Sequence, residues 1–184
     1  LRRLAEYLQQ LVMESLGKRT TPEGEPAPGP SSPLIFGGVG TDLQHAVFQA
    51  VHQGRQRHPM LLLGERPGDD DPHGFGVEQA ANLLGQARTL ALGRTDDDPQ
   101  KTLPGGNPVL MLWARPLDEV ALGELLAHFE HAVFLLGRAW NLNPFDQWGV
   151  EEGKRQADAF RTVLQTASDP RDAQFQALID WLRG

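Results

Sequence analysis

Three short apolar runs, residues 34–36, 60–63 and 109–113, leave this chain few ways to fold. None alternates apolar with polar residues, so none reads as a strand with one face in water. Between and after them lie segments whose apolar residues recur every three and four positions, the period of a helix packed on one side. Strand–helix–strand–helix order of this kind implies a parallel sheet covered by helices, an α/β architecture.

The first helix places Leu4, Tyr7, Leu8, Leu11, Val12 and Ser15 on one face and ends near Gly17. Residues 19–33 carry five prolines and few apolar side chains, so they read as a long surface loop. Strand 34–36 passes through the glycine turn 37–40 into a helix capped by Thr41 or Asp42. That helix packs Leu43, Val47, Ala50 and Val51 and stops at Gly54. Strand 60–63, helix 77–92, strand 109–113 and helix 118–139 follow, and helices from Val150 and from about Arg171 close the chain.

Length and composition fit one soluble domain with a sizeable core, since 40% of the 184 residues are hydrophobic and 22% charged. A net charge of −7 argues against a nucleic-acid binder, whose affinity would rest on basic clusters. It leaves room for an anionic small substrate, because a local pocket can oppose the net field. The absence of cysteine removes disulfides, thiolate nucleophiles and cysteine metal sites. The uninterrupted apolar runs are too short to cross a bilayer, and Arg2 and Arg3 lead into an amphipathic pattern rather than a signal peptide. The first residue is Leu1 rather than methionine, so the chain is expected to be part of a longer one.

Four places carry candidate chemistry. Gln10 and Glu14 are four residues apart and project side by side from the first helix, with Glu14 at the edge of the apolar stripe near Tyr7. A lone helical glutamate is more often a surface group than a base. The turn from Gly37 to Gly40 could cradle a phosphate on a helix N-terminus, a weak signal by itself, and His45 follows it on that helix, where a capping or core role is the bland alternative. Asn143-Pro144 opens a turn, Phe145 and Trp148 form an aromatic pair of the type usually buried, and Gln147 stands just before a helix. Lys154 projects from the first turns of that helix, behind Glu151 and Glu152, and alone would be a lysine on a wet face. His128 and His131 share a helix face but lack a third ligand at a fixed offset.

The strings around these residues change their weight. Phe145-Asp146-Gln147-Trp148-Gly149-Val150-Glu151-Glu152-Gly153-Lys154 resembles the C-terminal signature of the glucose-6-phosphate isomerase (phosphoglucose isomerase) family at nearly every position. Leu8-Gln9-Gln10-Leu11-Val12-Met13-Glu14-Ser15-Leu16-Gly17-Lys18 is similar to the family's Leu-Gln-Gln-x-x-Met-Glu-Ser-Asn-Gly-Lys segment, with Leu16 replacing the asparagine. Gly40-Thr41-Asp42-Leu43-Gln44-His45 is similar to Gly-Thr-Asn-Gly-Gln-His, departing at Asp42 and Leu43, and Gly38 and Val39 depart just before it. Residues 82–87 resemble a further family helix, so the likeness runs from Tyr7 to about Gln156.

The resemblance implies an aldose–ketose isomerase of glycolysis and gluconeogenesis, interconverting glucose 6-phosphate and fructose 6-phosphate through an enediol. Glu14 would be the base, with Gln10 and Gln147 holding sugar hydroxyls and His45 and Lys154 opening the ring. It implies no metal or cofactor, a cytoplasmic homodimer with a shared active site, and neither nucleic acid nor membrane as partner. Residues 1–149 would be a partial second sugar-isomerase (SIS) domain, a three-layer αβα fold lacking its first elements, and residues 150–184 a C-terminal helical segment. The phosphate-gripping loop and an active-site arginine would lie upstream of Leu1. The alternative is a non-catalytic sugar-phosphate-sensing module of the same fold.

Overall fold

Two parallel strands form the centre of the computed structural model, which describes residues 1–30, 32–166 and 175–184. Strand β1 (Met60–Glu65) pairs with β2 (Val109–Ala114) in the register Met60 to Val109 through Glu65 to Ala114. The connection between them carries helix α3 (Phe75–Leu92), which packs on both strands. The α/β class and the parallel sheet expected from the apolar runs are therefore present.

The expected third strand is not. Residues 34–36 carry no regular secondary structure and join no sheet, and Leu34 is 82% exposed. Three residues between Pro33 and a glycine pair are short for a strand, and the Ile35 N–H turns instead to Met13 Sδ at 3.5 Å. Helix α1 (Leu4–Gln9) continues directly into a π-type turn, Gln10–Glu14, before the chain leaves it at Gly17. Helix α2 (Gly40–Gln53) starts one residue before the predicted caps. Its N-cap is Val39, without a side-chain bond, so neither Thr41 nor Asp42 caps it.

Helix α3 begins two residues before the expected Val77 because Asp71 accepts the N–H groups of Phe75, Gly76 and Val77. Its carboxylate thereby satisfies donors that a helix start leaves open and sits at the positive end of the dipole. Helix α4 (Glu119–Ala139) starts at Asp118, whose Oδ1 accepts from the Ala121 N–H at 2.9 Å. Helices α5 (Trp148–Thr166) and α6 (Gln176–Arg183) pack on each other, and the predicted start of α6 near residue 171 lies outside the described residues.

Leu16, Val51, Leu90, Val133 and Leu142 are among the most buried side chains, a core shared by helices and loops. Asn107 is buried among them at 4% exposure and ties three elements together. Its Oδ1 accepts the His58 N–H, and its Nδ2 donates to Val51 O and Leu90 O. Much apolar surface stays open: Leu110 on β2, and Val120 and Leu135 on α4, are more than half exposed. Helix α4 is long and apolar enough, by length and composition, to cross a membrane. Glu124 and Glu130 within it would make such a passage costly, and Tyr7 of α1 already packs its hydroxyl on Glu130.

Candidate active site

The π-type turn places the first pair of candidates. Bonds of the i→i+5 kind widen the turn and occur most often as single turns at functional positions. Here the turn begins at Gln10 and ends at Glu14. Gln10 Nε2 donates to Glu14 Oε2 at 3.2 Å, so the side-by-side projection expected from their spacing is present and has become a hydrogen bond. One turn earlier, the Tyr7 hydroxyl donates to Glu130 Oε1 at 2.7 Å and fastens α1 to α4. That bond to the carboxylate, followed by partial burial and the Glu130 charge, holds the Tyr7 phenol above its ordinary range.

The opposite wall is built by the way α4 ends. Asn141 takes a left-handed conformation, φ 51°, and donates its N–H to Arg138 O, while the Leu142 N–H reaches back to Gly137 O at 2.8 Å. This is a Schellman ending with asparagine in the place glycine usually holds. Leu142 is buried there, and Pro144 lies against Gly137, where an added Cβ would come within 3.4 Å of the proline ring. Asn143 then organises the turn it opens. Its Oδ1 accepts the Phe145 N–H, and its Nδ2 donates to Asp146 Oδ2 at 2.9 Å. Gln147 follows immediately, at the foot of α5.

Between these walls lies a cavity of about 620 Å³ whose lining includes Glu14, Lys18, Thr21, Asp146, Gln147 and Trp148. Its volume is within the range of about 300–1,000 Å³ usual for small-molecule sites. The structure thus brings together three of the predicted residues: Glu14 and Gln147 line one cavity, and Gln10 holds the Glu14 carboxylate. It keeps two apart. Lys154 lies outside the lining, further along α5, with its ammonium 3.2 Å from Glu151 Oε1 on an exposed face. His45 lies outside the lining as well, exposed on α2, with its Nε2 3.4 Å from the side chain of Gln44.

Phe145 and Trp148 correct an expectation. They are 83% and 76% exposed rather than buried, because no described element covers this side of the α4–α5 corner. Among the described residues the one ring beside Phe145 is Phe134, with centroids 6.3 Å apart.

Two residues to which the sequence reading gave no role stand at the centre of the site. Lys18 donates to Glu14 O and Ser15 O, both at 2.8 Å, and its ammonium is 3.3 Å from Asp146 Oδ1. A cation there meets the negative end of the α1 dipole and the carbonyls a helix end leaves open. Both residues lie inside the two matched strings, which was the available signal. Their pairing across the fold had none.

The family profile described as phosphoglucose isomerase matches residues 1–179. A glucose-6-phosphate isomerase of Stenotrophomonas maltophilia (strain K279a) is 45% identical over 88% of this chain and 32% of the relative's length. One from Caulobacter vibrioides (strain NA1000 / CB15N) is 39% identical over 100% of this chain and 38% of the relative. The crystal structure of a glucose-6-phosphate isomerase from Chlamydia trachomatis D/UW-3/Cx superposes with a TM-score of 0.84 at 34% identity, over 98% of this chain and 36% of that one. The chain therefore spans about a third of the length of the relatives it matches.

Proposed function

We propose, on the premise that the chain belongs to the phosphoglucose isomerase family, that it supplies the proton-transfer part of a glucose-6-phosphate isomerase. The observation that carries this reading is the shared cavity: Glu14 and Gln147 come from strings far apart in sequence and line one space of about 620 Å³. Open-chain glucose 6-phosphate must lose a proton from C2 and regain one at C1. A single carboxylate within reach of both carbons can carry it, and Glu14 is that group. The Gln10 amide on its Oε2 sets the direction of the other oxygen. Gln147 faces the same space and would hold a sugar hydroxyl, so that the reacting carbons meet the base in one orientation.

His45 and Lys154 take the ring-opening step in this reading, as acid and base at the ring oxygen and the C1 hydroxyl. The exposure of His45 on α2 suits a group lent to a neighbouring subunit, and the proposal includes a homodimer with shared sites. The Lys154 pairing with Glu151 is an exposed contact between residues three apart, weak enough to exchange for a substrate oxygen. Residues 1–149 are read as a partial SIS-type αβα domain and residues 150–184 as a C-terminal helical segment of a cytoplasmic enzyme. Sugar phosphate is the substrate, with no metal or cofactor needed for the proton shuttle and neither nucleic acid nor membrane as partner.

Glu14→Gln in the full-length enzyme tests the assignment. Conversion of fructose 6-phosphate, followed in a coupled assay, should disappear while sugar-phosphate binding by calorimetry stays close to wild type. Turnover at the wild-type rate would remove Glu14 as the base.

A further inference from the structure

We infer that Lys18 is a positioning residue for the isomerisation, holding Gln147 opposite Glu14 through a clamp on Asp146; the inference rests on the roles given to Glu14 and Gln147 above. The ammonium donates to Glu14 O and Ser15 O at 2.8 Å each, and stands 3.3 Å from Asp146 Oδ1 as an ion pair. The two carbonyls belong to the end of the helical segment that carries the base. The carboxylate belongs to the residue directly before Gln147. One side chain therefore fixes both walls of the cavity relative to each other.

The surroundings make this contact more than a surface ion pair. The Lys18 and Asp146 side chains are 16% and 23% exposed. Asp146 Oδ2 is occupied by Asn143, whereas Oδ1 is buried and accepts no hydrogen bond among the described residues, so the Lys18 charge is what compensates it. Among the described residues this is the one polar contact between residues 10–18 and residues 143–150. The far wall is otherwise rooted, among the described residues, in the end of α4, through the Schellman turn and the Pro144 contact with Gly137, and in an exposed bond from Asn141 Nδ2 to Glu23 Oε2 at 3.2 Å. Gln147 itself is exposed and, among the described residues, makes no side-chain bond that would place it. Its position is inherited from Asp146.

The test uses the full-length enzyme and three variants, Lys18→Met, Asp146→Asn and the pair together. Lys18→Met alone leaves a carboxylate without its cation, so both thermal midpoint and kcat should fall. In the double variant no unpaired charge remains, and the thermal midpoint should return toward wild type. Turnover should not return: with the loop released, kcat should stay down by roughly tenfold to a hundredfold, the scale of a displacement of about 1 Å, while KM moves by less than about threefold. Recovery of kcat together with the thermal midpoint would overturn the inference, because a merely structural lysine predicts that result. Amide exchange at Phe145 and Val150 reads the loop without turnover and should quicken in the double variant; unchanged exchange there also overturns the clamp. A wild-type enzyme that does not isomerise glucose 6-phosphate would refute the functional reading instead, and the exchange rates would still decide on the clamp.

Discussion

Replacing Asn107 should loosen three elements at once, and the size of the effect can be worked out from its bonds. Alanine there leaves the His58 N–H without the acceptor it holds at 2.9 Å and Val51 O without its donor at 3.2 Å. Leu90 O is cushioned, since it also receives the Asn107 backbone N–H at 3.1 Å. A buried polar group left unpaired costs about 1–3 kcal/mol, so two of them cost about 2–6 kcal/mol in local stability. At roughly tenfold per 1.4 kcal/mol, protection of the His58 amide against hydrogen exchange in the full-length protein should fall by about 30-fold to about 20,000-fold. Asn107→Asp separates donor from acceptor. It keeps an oxygen for His58 but turns a second oxygen toward two carbonyls in a buried place. Burial and repulsion raise the folded-state pKa of such a carboxyl above its usual value of about 3.9. The protonated acid is then the stabilised form, so stability is present at low pH and lost as pH rises through the raised value. The Asp variant should exchange faster than the Ala variant at neutral pH and slower in acid. Exchange at His58 within about threefold of wild type in the Ala variant, or no crossing between the two variants with pH, would refute the account.

Two further outcomes follow from single contacts. Tyr7→Phe removes the hydroxyl bonded to Glu130 and should destabilise by about 1 kcal/mol or less, since the contact is open to solvent screening. Because the Tyr7 pKa is raised in the folded state, that contribution is present below about pH 10 and is lost as pH climbs through the raised value. The gap in thermal midpoint between wild type and variant should therefore close in strong alkali; a gap constant with pH would sink the assignment. Asn141, at φ 51°, should accept glycine without loss and lose about 1 kcal/mol to alanine, measured as thermal midpoints of the two variants, and equal midpoints would remove the Schellman argument.

Period and apolar runs carried the architecture because they report burial, and burial decides both strands and most helices. Residues 60–65 and 109–114 are flanked by helical segments long enough to cross over the sheet, so a parallel pair was the simplest closure. The same logic overreached at Leu34 and Phe36, where apolar character marks a surface left open rather than a strand. It also read Phe145 and Trp148 as buried. Apolar residues state that something is to be covered, not by which element, and a chain that spans about a third of its relatives' length presents such surfaces uncovered. Asn107 was invisible for the opposite reason. Its partners Val51, His58 and Leu90 are linked only by the fold, and an isolated asparagine before a proline reads as a turn residue.

The site divides along the same line. Gln10 and Glu14 were legible because helical spacing alone makes neighbours of them, although the π-type turn under them left no mark in the pattern. Gln147 was legible as a residue held before a helix, and what holds it was not. Lys18 reads locally as a basic residue ending a helix, and Asp146 reads as part of a turn, each with a sufficient explanation of its own. Only the fold brings the two charges within 3.3 Å and turns two separate local features into one device. Matched strings marked the right segments but not the connection between them, because a string is read along the chain while a cavity is built across it. The exposed position of His45 extends this reasoning. On the proposed function, a group lent to a neighbouring subunit would have no reason to face the cavity formed by its own segment.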